Sequence, residues 1–467
     1  MSKQQGNQDI GAVFARHIHD TRFEDIPEPA VDAAKKSVLD TLGVILGAGS
    51  TTPAMKGLVD SMRDIGGKPE STIMGFGGKV PATSAAFLNG AMAHCLDFDD
   101  HLPEGHHPSS AVVPAAFAMA ERVGNVDGRA FITAIALGQD VFTRLRRHVE
   151  WKQDWMMSPV VGVIAAAAAC GKLAGLDADR LADALGIATS QAGGTMELAY
   201  GIGGNLRGMY SSFPSQGGVL SVIMAQSGIS SVQSAFEGKA GFFQCYFGGK
   251  WNRDAMLASL GRDFLGAEIA YKPWPSCGLS HVYIDTTLAM MREHKLGPGD
   301  IAKITVHVGD FAEKLCLPIE NRRQPQTTVD AKFSIPFCVA VTAVHGNVGI
   351  GSFIDKGLRD AKVLEFATRV DAVVDPKFNW TSALPSGLME IVTTDGRQLS
   401  KPTSGSLGDI DHPLSWDDIL NKFRDCVAYS VNPPSAADTK GAISAIRSIE
   451  KVEDVETIMA ALTPSKR

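Results

Sequence analysis

Five segments between residue 81 and residue 194 share one texture: apolar residues at helical spacing, dense in alanine, glycine and serine. PATSAAFLNGAMAHCLDF, AVVPAAFAMAERVG, GRAFITAIALGQDVFTRL, PVVGVIAAAAACGKLAGLD and DADRLADALGIATSQAGG all show it. Side chains this small let helix axes approach closely, so such segments are suited to being packed on several sides by other helices. The earlier stretches PAVDAAKKSVLDTLGVILGA and TTPAMKGLVDSMRDIGG share the period, with Gly66 and Gly67 as a stop signal, and a short β-like piece, STIMGFGGKV, follows them. Residues 1–267 are therefore expected to form a large all-α domain.

The texture changes near residue 268. IAKITVHVGDF and LMEIVTTDGRQLS alternate apolar and polar residues as half-buried strands do, and Asp395-Gly396 is a hairpin signal. Helical patterns accompany them at TTLAMMREHKL and KFSIPFCVAVTAV, so residues 268–408 read as a smaller α+β domain. After the loop KPTSGSLGDIDHP the helices SWDDILNKFRDCV and TKGAISAIRSIEKV return, and residues 409–467 are expected to pack back on the first domain. The fold class is mainly α, and 467 residues are enough for two or three domains.

Several function classes fall away. A net charge of −7 gives no electrostatic reason to expect nucleic acid, although a cationic pocket can still sit in an acidic protein. The seven cysteines contain no CxxC pair, against a disulfide framework or zinc ribbon and in keeping with a reducing compartment. The longest apolar run, Val160 to Gly171, stops at Lys172, too short to span a bilayer. The first residues, MSKQQGNQDIGAVF, lack the charged-then-apolar pattern of a signal peptide, so a cytoplasmic location is expected.

The stretch HCLDFDDHLPEGHHPSS, residues 94–110, places Asp97, Asp99 and Asp100 beside His94, His101, His106 and His107. Carboxylate and imidazole exchange protons at neutral pH, and imidazolium holds carboxylates. Three readings stand open: a metal site drawn from Asp97, His101 and His107, a proton-transfer site, or helix caps with solvated histidines. Pro103, Gly105 and Pro108 make the segment a loop. Pro108-Ser109-Ser110 looks like an N-cap, which would put His107 at the positive end of a helix dipole.

Two further segments carry candidate groups. YKPWPSCGLSH, residues 271–281, puts Lys272, Cys277 and His281 at the junction of the two textures, where small-molecule sites are favoured. Lys272 there is a carboxylate partner, a base or a solvated lysine. Cys277 is a nucleophile or, with no cationic neighbour in sequence, inert packing, and His281 is a ligand or a core histidine. GIGGNLRGMYSSFPSQGG, residues 201–218, lacks a preceding strand and a GK[ST] ending, so its glycines read as a tight loop presenting Arg207 and Tyr210. The basic cluster RLRRH, residues 144–148, reads as a solvated helix end.

Together these segments resemble the MmgE/PrpD family, which includes 2-methylcitrate dehydratases, cis-aconitate decarboxylases and iminodisuccinate epimerase. The matching segments are LNGAMAHCLDFDD with HPSSAVVPAAFAMAE, AAAAACGKLAGLD, KPWPSCGLSH and DAKFSIPFCVAV. The resemblance implies a large helical domain, a smaller α+β lid domain, a metal-free site between them that needs no cofactor, and a homodimer. It carries the family's active-site aspartate onto Asp97, the histidine of its HPS motif onto His107, and the lysine of its KxxPxC/H motif onto Lys272. It implies that Cys277 stands where members carry Cys or His, and that His101 occupies a substrate-touching position.

Two departures stand out against that pattern. Met156 in WMMSPVVG takes the place of a histidine, and RGMYSS puts Arg207 and Tyr210 where the family has lysine and histidine. Arginine keeps the charge but is a poor base, and methionine keeps neither charge nor proton transfer. The family's substrates imply a small di- or tricarboxylate as partner, with Met156, His101, Arg207, Tyr210 and Cys277 as binding residues and Asp97, His107 and Lys272 as catalytic ones. The first expectation is a lyase of the 2-methylcitrate dehydratase type, removing water from a hydroxylated polycarboxylate. The alternatives are an epimerase or isomerase, a decarboxylase, or a polycarboxylate binder without turnover.

Overall fold

Aspartate caps open three of the early helices: Asp9 accepts from the Gly11 amide, Asp127 from Ala130 and Asp177 from Arg180, at 2.8–3.0 Å. A computed structural model describes residues 8–201, 204–381, 386–403 and 405–463. Residues 1–7 of the N-terminal stretch, 202–203 of the glycine-rich stretch and 404 of the loop before the terminal helices lie outside the described residues. Helix makes up 59% and strand 8%, so the protein is mainly α with a small α+β portion.

The helices run α1 Ile10–Asp20, α2 Glu28–Thr51, α3 Met55–Ile65, α4 Ala82–Cys95, α5 Ser109–Val123, α6 Gly128–Arg147, α7 Met157–Leu173 and α8 Ala178–Thr189. A two-stranded ribbon, β1 Ser71–Thr72 with β2 Lys79–Val80, precedes α4. The short α9 Glu197–Tyr200 leads to α10 Ser212–Gln226, α11 Phe242–Phe247 and α12 Arg253–Leu257. Helix α7, the Ala-rich segment, is enclosed by α5, α6, α8 and α10.

The reading of residues 201–218 as one tight loop needs correction. Asn205–Gly208 make a short 3-10 turn. From Ser212 the stretch is helix, and Gly217 and Gly218 lie buried inside α10. A Cβ on Gly218 would lie 2.5 Å from the Ala166 side chain and 2.8 Å from its backbone, and one on Gly217 2.8 Å from Val163. The glycines serve close approach of α10 to α7, a tertiary demand with no local signature.

Beyond residue 270 come α13 Gly278–His294, β3 Ile301–Val308, α14 Asp310–Glu313, α15 Ile319–Arg323, α16 Thr328–Lys332 and α17 Ile335–His345. Then follow α18 Asp355–Leu358, α19 Ala361–Ala367, β4 Val370–Val374, β5 Gly387–Thr393 and β6 Gln398–Thr403. The sheet order is β4-β3-β5-β6, with β4 parallel to β3 and the other pairs antiparallel. The β5–β6 hairpin turns at Asp395-Gly396, where Gly396 takes φ 89°. Strand β4 went unread in the sequence, because VDAVV is too short for a period to show.

Helices α13 and α17 pack on each other and against the strands. The chain closes with α20 Trp416–Ala428, α21 Ala436–Arg447 and α22 Glu456–Leu462. Two apolar cores result. One gathers residues from Ile10 to Tyr271 together with Ile350 and the terminal helices, and the other runs from Trp274 to Ile391. Helix α20 lies along α2. Among the described residues no helix is long and apolar enough to cross a membrane.

Candidate active site

A cavity of about 130 Å³ opens at the seam between the two cores. Its lining brings together the eight residues expected to bind or react: Asp97, His101, His107, Met156, Arg207, Tyr210, Lys272 and Cys277. The chain delivers them from the α4–α5 loop, the N-terminus of α7, the segment before α10 and the turn leading into α13.

The α4–α5 loop is held in an unusual course. Asp97 takes φ 48°, as its amide returns to the His94 carbonyl at 2.8 Å, and His106 takes φ 78°. Such left-handed non-glycine residues are strained and persist only where the surroundings enforce them. Here the enforcement is visible: His101 and Ala270 exchange backbone hydrogen bonds of 2.9 and 2.8 Å, and Arg146 Nε donates to His106 Nδ1 at 2.9 Å.

Lys272 is 1% exposed and meets Asp97 Oδ1 in an ion pair, while its Nζ also donates to the Asp97 carbonyl at 3.0 Å. Burial alone would raise the Asp97 pKa, but Lys272, His94 and His107 hold the carboxyl well below the usual range. Burial likewise works against the Lys272 ammonium, yet Asp97 and Asp99 push its pKa up. Asp97 Oδ2 is buried without a hydrogen-bond partner.

Next to this pair the rings of His94 and His107 lie 4.7 Å apart, and Tyr210 lies 4.3 Å from His94. His94 Nδ1 reaches both oxygens of Asp99 at 2.9 and 3.0 Å. His107 Nδ1 lies 2.8 Å from the Asp100 carbonyl, which can only accept, so the ring proton sits on Nδ1 and Nε2 of the neutral ring carries a lone pair. Burial, helped by Lys272 and His94, lowers the His107 pKa to about 3, against the pull of Asp99 and Asp97. Burial also keeps the Tyr210 phenol protonated, with Asp99 adding to the effect.

The opposite side is less polar. Arg207 stacks 3.3 Å over the Phe333 ring centre and donates from Nη1 to the Ala199 carbonyl at 2.6 Å. Met156 N-caps α7 through its backbone, its amide donating to the Gly194 carbonyl, and Cys277 stands at the N-cap of α13. Burial raises the Cys277 pKa, as does Asp97, so the thiol stays protonated and packs rather than attacks. His281 is a core histidine whose Nε2 faces the Ser276 carbonyl at 3.1 Å.

Three local expectations are corrected. The N-cap of α5 falls within Pro108-Ser109-Ser110, at Pro108, but no side chain of that trio does the capping: Asp100 Oδ1 takes the Ser109 amide at 3.3 Å from nine residues upstream. The donor types of a metal site are grouped as His94, Asp99 and His107, within 4.8 Å, rather than Asp97, His101 and His107. His101 instead turns Nδ1 to the Leu102 carbonyl at 2.8 Å. Nor is RLRRH a solvated helix end. Arg144 is 0% exposed, paired with Asp140 at 2.7 Å and with the Met256 carbonyl at 2.9 Å.

Some residues at the site went unnoticed in the sequence. Lys422 on α20 bonds Asp40 at 2.6 Å, the Lys272 carbonyl at 3.0 Å and the Phe98 carbonyl, fastening the cavity floor from below. One signal could have found it: Lys422 lies between Ile419 and Cys426 on the apolar stripe of its helix. Lys314, Trp151, Phe311 and Trp380 also line the cavity, with nothing in their local patterns to mark them.

Comparison with known proteins agrees with this architecture. The family model described as the MmgE/PrpD N-terminal domain matches residues 12–254, and that of the MmgE/PrpD C-terminal domain matches residues 274–447. The chain belongs to the MmgE/PrpD family. Within it, the protein is 25% identical to a cis-aconitate decarboxylase of Aspergillus terreus, over 99% of this chain and 98% of the relative. It is 24% identical to the cis-aconitate decarboxylase of Homo sapiens, over 96% and 93%. Likeness to the Mus musculus enzyme of that name is 25%, over 95% and 90%.

Proposed function

We propose that the protein is a lyase acting on a small di- or tricarboxylate, by proton transfer at a carbon next to a carboxylate. The observation that carries this reading is the pairing, on one cavity wall, of a neutral His107 with an unprotonated Nε2 and a protonated Lys272 held by Asp97. A proton acceptor and a proton donor thus face the same small space. The lining holds three cationic side chains, Arg207, Lys272 and Lys314, against two acids, Asp97 and Glu104, which suits a polyanion inside an acidic protein.

Within that class we favour decarboxylation over the dehydration expected from sequence. Dehydration needs a base for the carbon-bound proton and an acid for the departing hydroxide. Decarboxylation of an unsaturated tricarboxylate breaks the bond to one carboxylate, shifts the electron pair through the alkene and adds one proton at carbon, releasing carbon dioxide. It consumes one proton and needs one donor. Met156, standing where the family resemblance places a histidine, leaves the α7 side of the cavity without a second acid. The full-length likeness to cis-aconitate decarboxylases supports the same choice.

The test is incubation of the purified protein with cis-aconitate, citrate and 2-methylcitrate in EDTA. Carbon dioxide release from the unsaturated acid is the expected result. Growth of ultraviolet absorbance from the hydroxy acids would replace decarboxylation by dehydration. Solvent deuterium uptake without net product would indicate epimerisation. Binding without turnover of any of these acids would overturn the lyase reading.

A further inference from the structure

Lys314 follows α14 and lines the cavity, on a different element from Lys272. Its Nζ is buried and has no hydrogen-bond partner. The ammonium rests 3.4 Å from the ring centre of Phe311 and 4.9 Å from that of Tyr200. Ring faces attract a cation but accept none of its three N–H bonds with the strength of an anion. A second cation, Arg207, lies near enough to repel it, and Asp310 is the one carboxylate acting on it in the opposite sense. Burial lowers the Lys314 pKa to about 8, a measure of how little compensates this charge. A buried ammonium with no hydrogen-bond partner, beside a guanidinium that spends one N–H on the Ala199 carbonyl, in an apolar wall of Phe311, Phe333 and Met196, makes a poor resting arrangement and a good anion site.

We propose that Lys314, with Arg207, forms a second carboxylate subsite in the same cavity as the Lys272–Asp97 pair, and that it selects substrates bearing a distal carboxylate. The proposal rests on the polycarboxylate reading above and specifies how that substrate is told from shorter acids. Lys272, His107 and Asp97 do the proton chemistry at one end of the molecule. Lys314 anchors the other end and takes no part in proton transfer.

The experiment uses two unreactive probes, propane-1,2,3-tricarboxylate and 2-methylsuccinate, which differ by one terminal carboxylate. Their binding is measured by calorimetry to the wild-type protein, Lys314→Met and Lys314→Arg. The thioether chain keeps the packing between Phe311 and Tyr200, and Lys314→Gln is read in parallel should the methionine variant fold poorly. The wild type should prefer the tricarboxylate by about tenfold to a hundredfold, the worth of a charged hydrogen bond. Lys314→Met should erase that preference and Lys314→Arg should retain it.

Equal loss of both affinities in Lys314→Met, no loss in either, or a wild type that binds neither probe would overturn the subsite. Turnover is scored separately. A protein that shows the Lys314-dependent preference but converts no acid keeps the subsite and loses the lyase reading. One that converts an acid with a KM indifferent to Lys314→Met does the reverse.

Discussion

Lys272 and Asp97 form a buried ion pair at the cavity floor, and only one oxygen of the carboxylate is used. The pair is joined by segments 175 residues apart in sequence. Removing one partner of such a pair strands the other charge in a medium that solvates it poorly. Lys272→Met should therefore destabilise the fold by about 3 kcal/mol or more as well as abolish turnover. The double variant Asp97→Asn with Lys272→Met should recover most of the melting temperature and none of the activity. Thermal denaturation of the three proteins checks this, and a Lys272→Met protein as stable as wild type would contradict it.

Stability should peak in mildly acidic solution. Burial, reinforced by mutual repulsion, raises the Asp100 pKa to about 7; burial also raises that of Asp40 to about 6, against the pull of Lys422. Both groups hold protons in the folded state at pH values where the unfolded chain has lost them, so their contribution falls as pH rises from about 4 to 7. Asp97 and Asp99 act oppositely. Their folded pKa values lie below the ordinary 3.8, so their contribution is present above that value and is lost as pH falls beneath it. The buried histidines act in the same direction over a higher range: His107, with its pKa at about 3, and His17, at about 4, stay neutral in the fold while the unfolded chain protonates below about 6.5, so the maximum is expected between about pH 6 and 7. Asp100→Asn should raise the melting temperature at pH 8, relieving up to roughly 4 kcal/mol, and should change little near pH 4.

The ring of His107 should stay neutral across the working range. Its pKa is lowered to about 3, so it remains a proton acceptor wherever the carboxylates of a substrate are ionised. NMR titration of the ring nitrogens should show no protonation of His107 between about pH 5 and 8. Decarboxylation needs a donor and no base, so His107→Gln should leave carbon dioxide release within about tenfold of wild type, whereas a dehydration would fall by about a hundredfold or more, the usual worth of a positioned base. A ring that titrates near its ordinary value, or a hundredfold loss of carbon dioxide release in His107→Gln, would contradict this.

Gly218→Ala should destabilise the protein by about 2 kcal/mol. The new methyl group would sit 2.5 Å from the Ala166 side chain and 2.8 Å from backbone, so helices α7 and α10 must part. A melting temperature equal to wild type would show that the two helices are not held at this separation.

The period and the small side chains of the helical segments were readable because each helix announces its own buried face. So were the hairpin at Asp395-Gly396 and the strands flanking it. The residues of the cavity were legible for another reason: acids, imidazoles and a lysine beside prolines are chemically conspicuous wherever they lie. Lys314 was not, since a lysine in an ordinary polar context looks like any solvated one, and Lys422 showed only in its place on the apolar stripe of α20. Burial distinguishes them, and burial is a property of the assembled chain.

Composition and local period thus settled the mainly α architecture and where its chemistry-bearing residues stand along the chain. Distance was settled elsewhere. That Lys272 meets Asp97, that Asp100 rather than Ser109 caps α5, and that His94, Asp99 and His107 cluster follow from segments brought together in folding. Charges interact by separation in space and by the medium between them, and neither quantity is written in a linear order of residues.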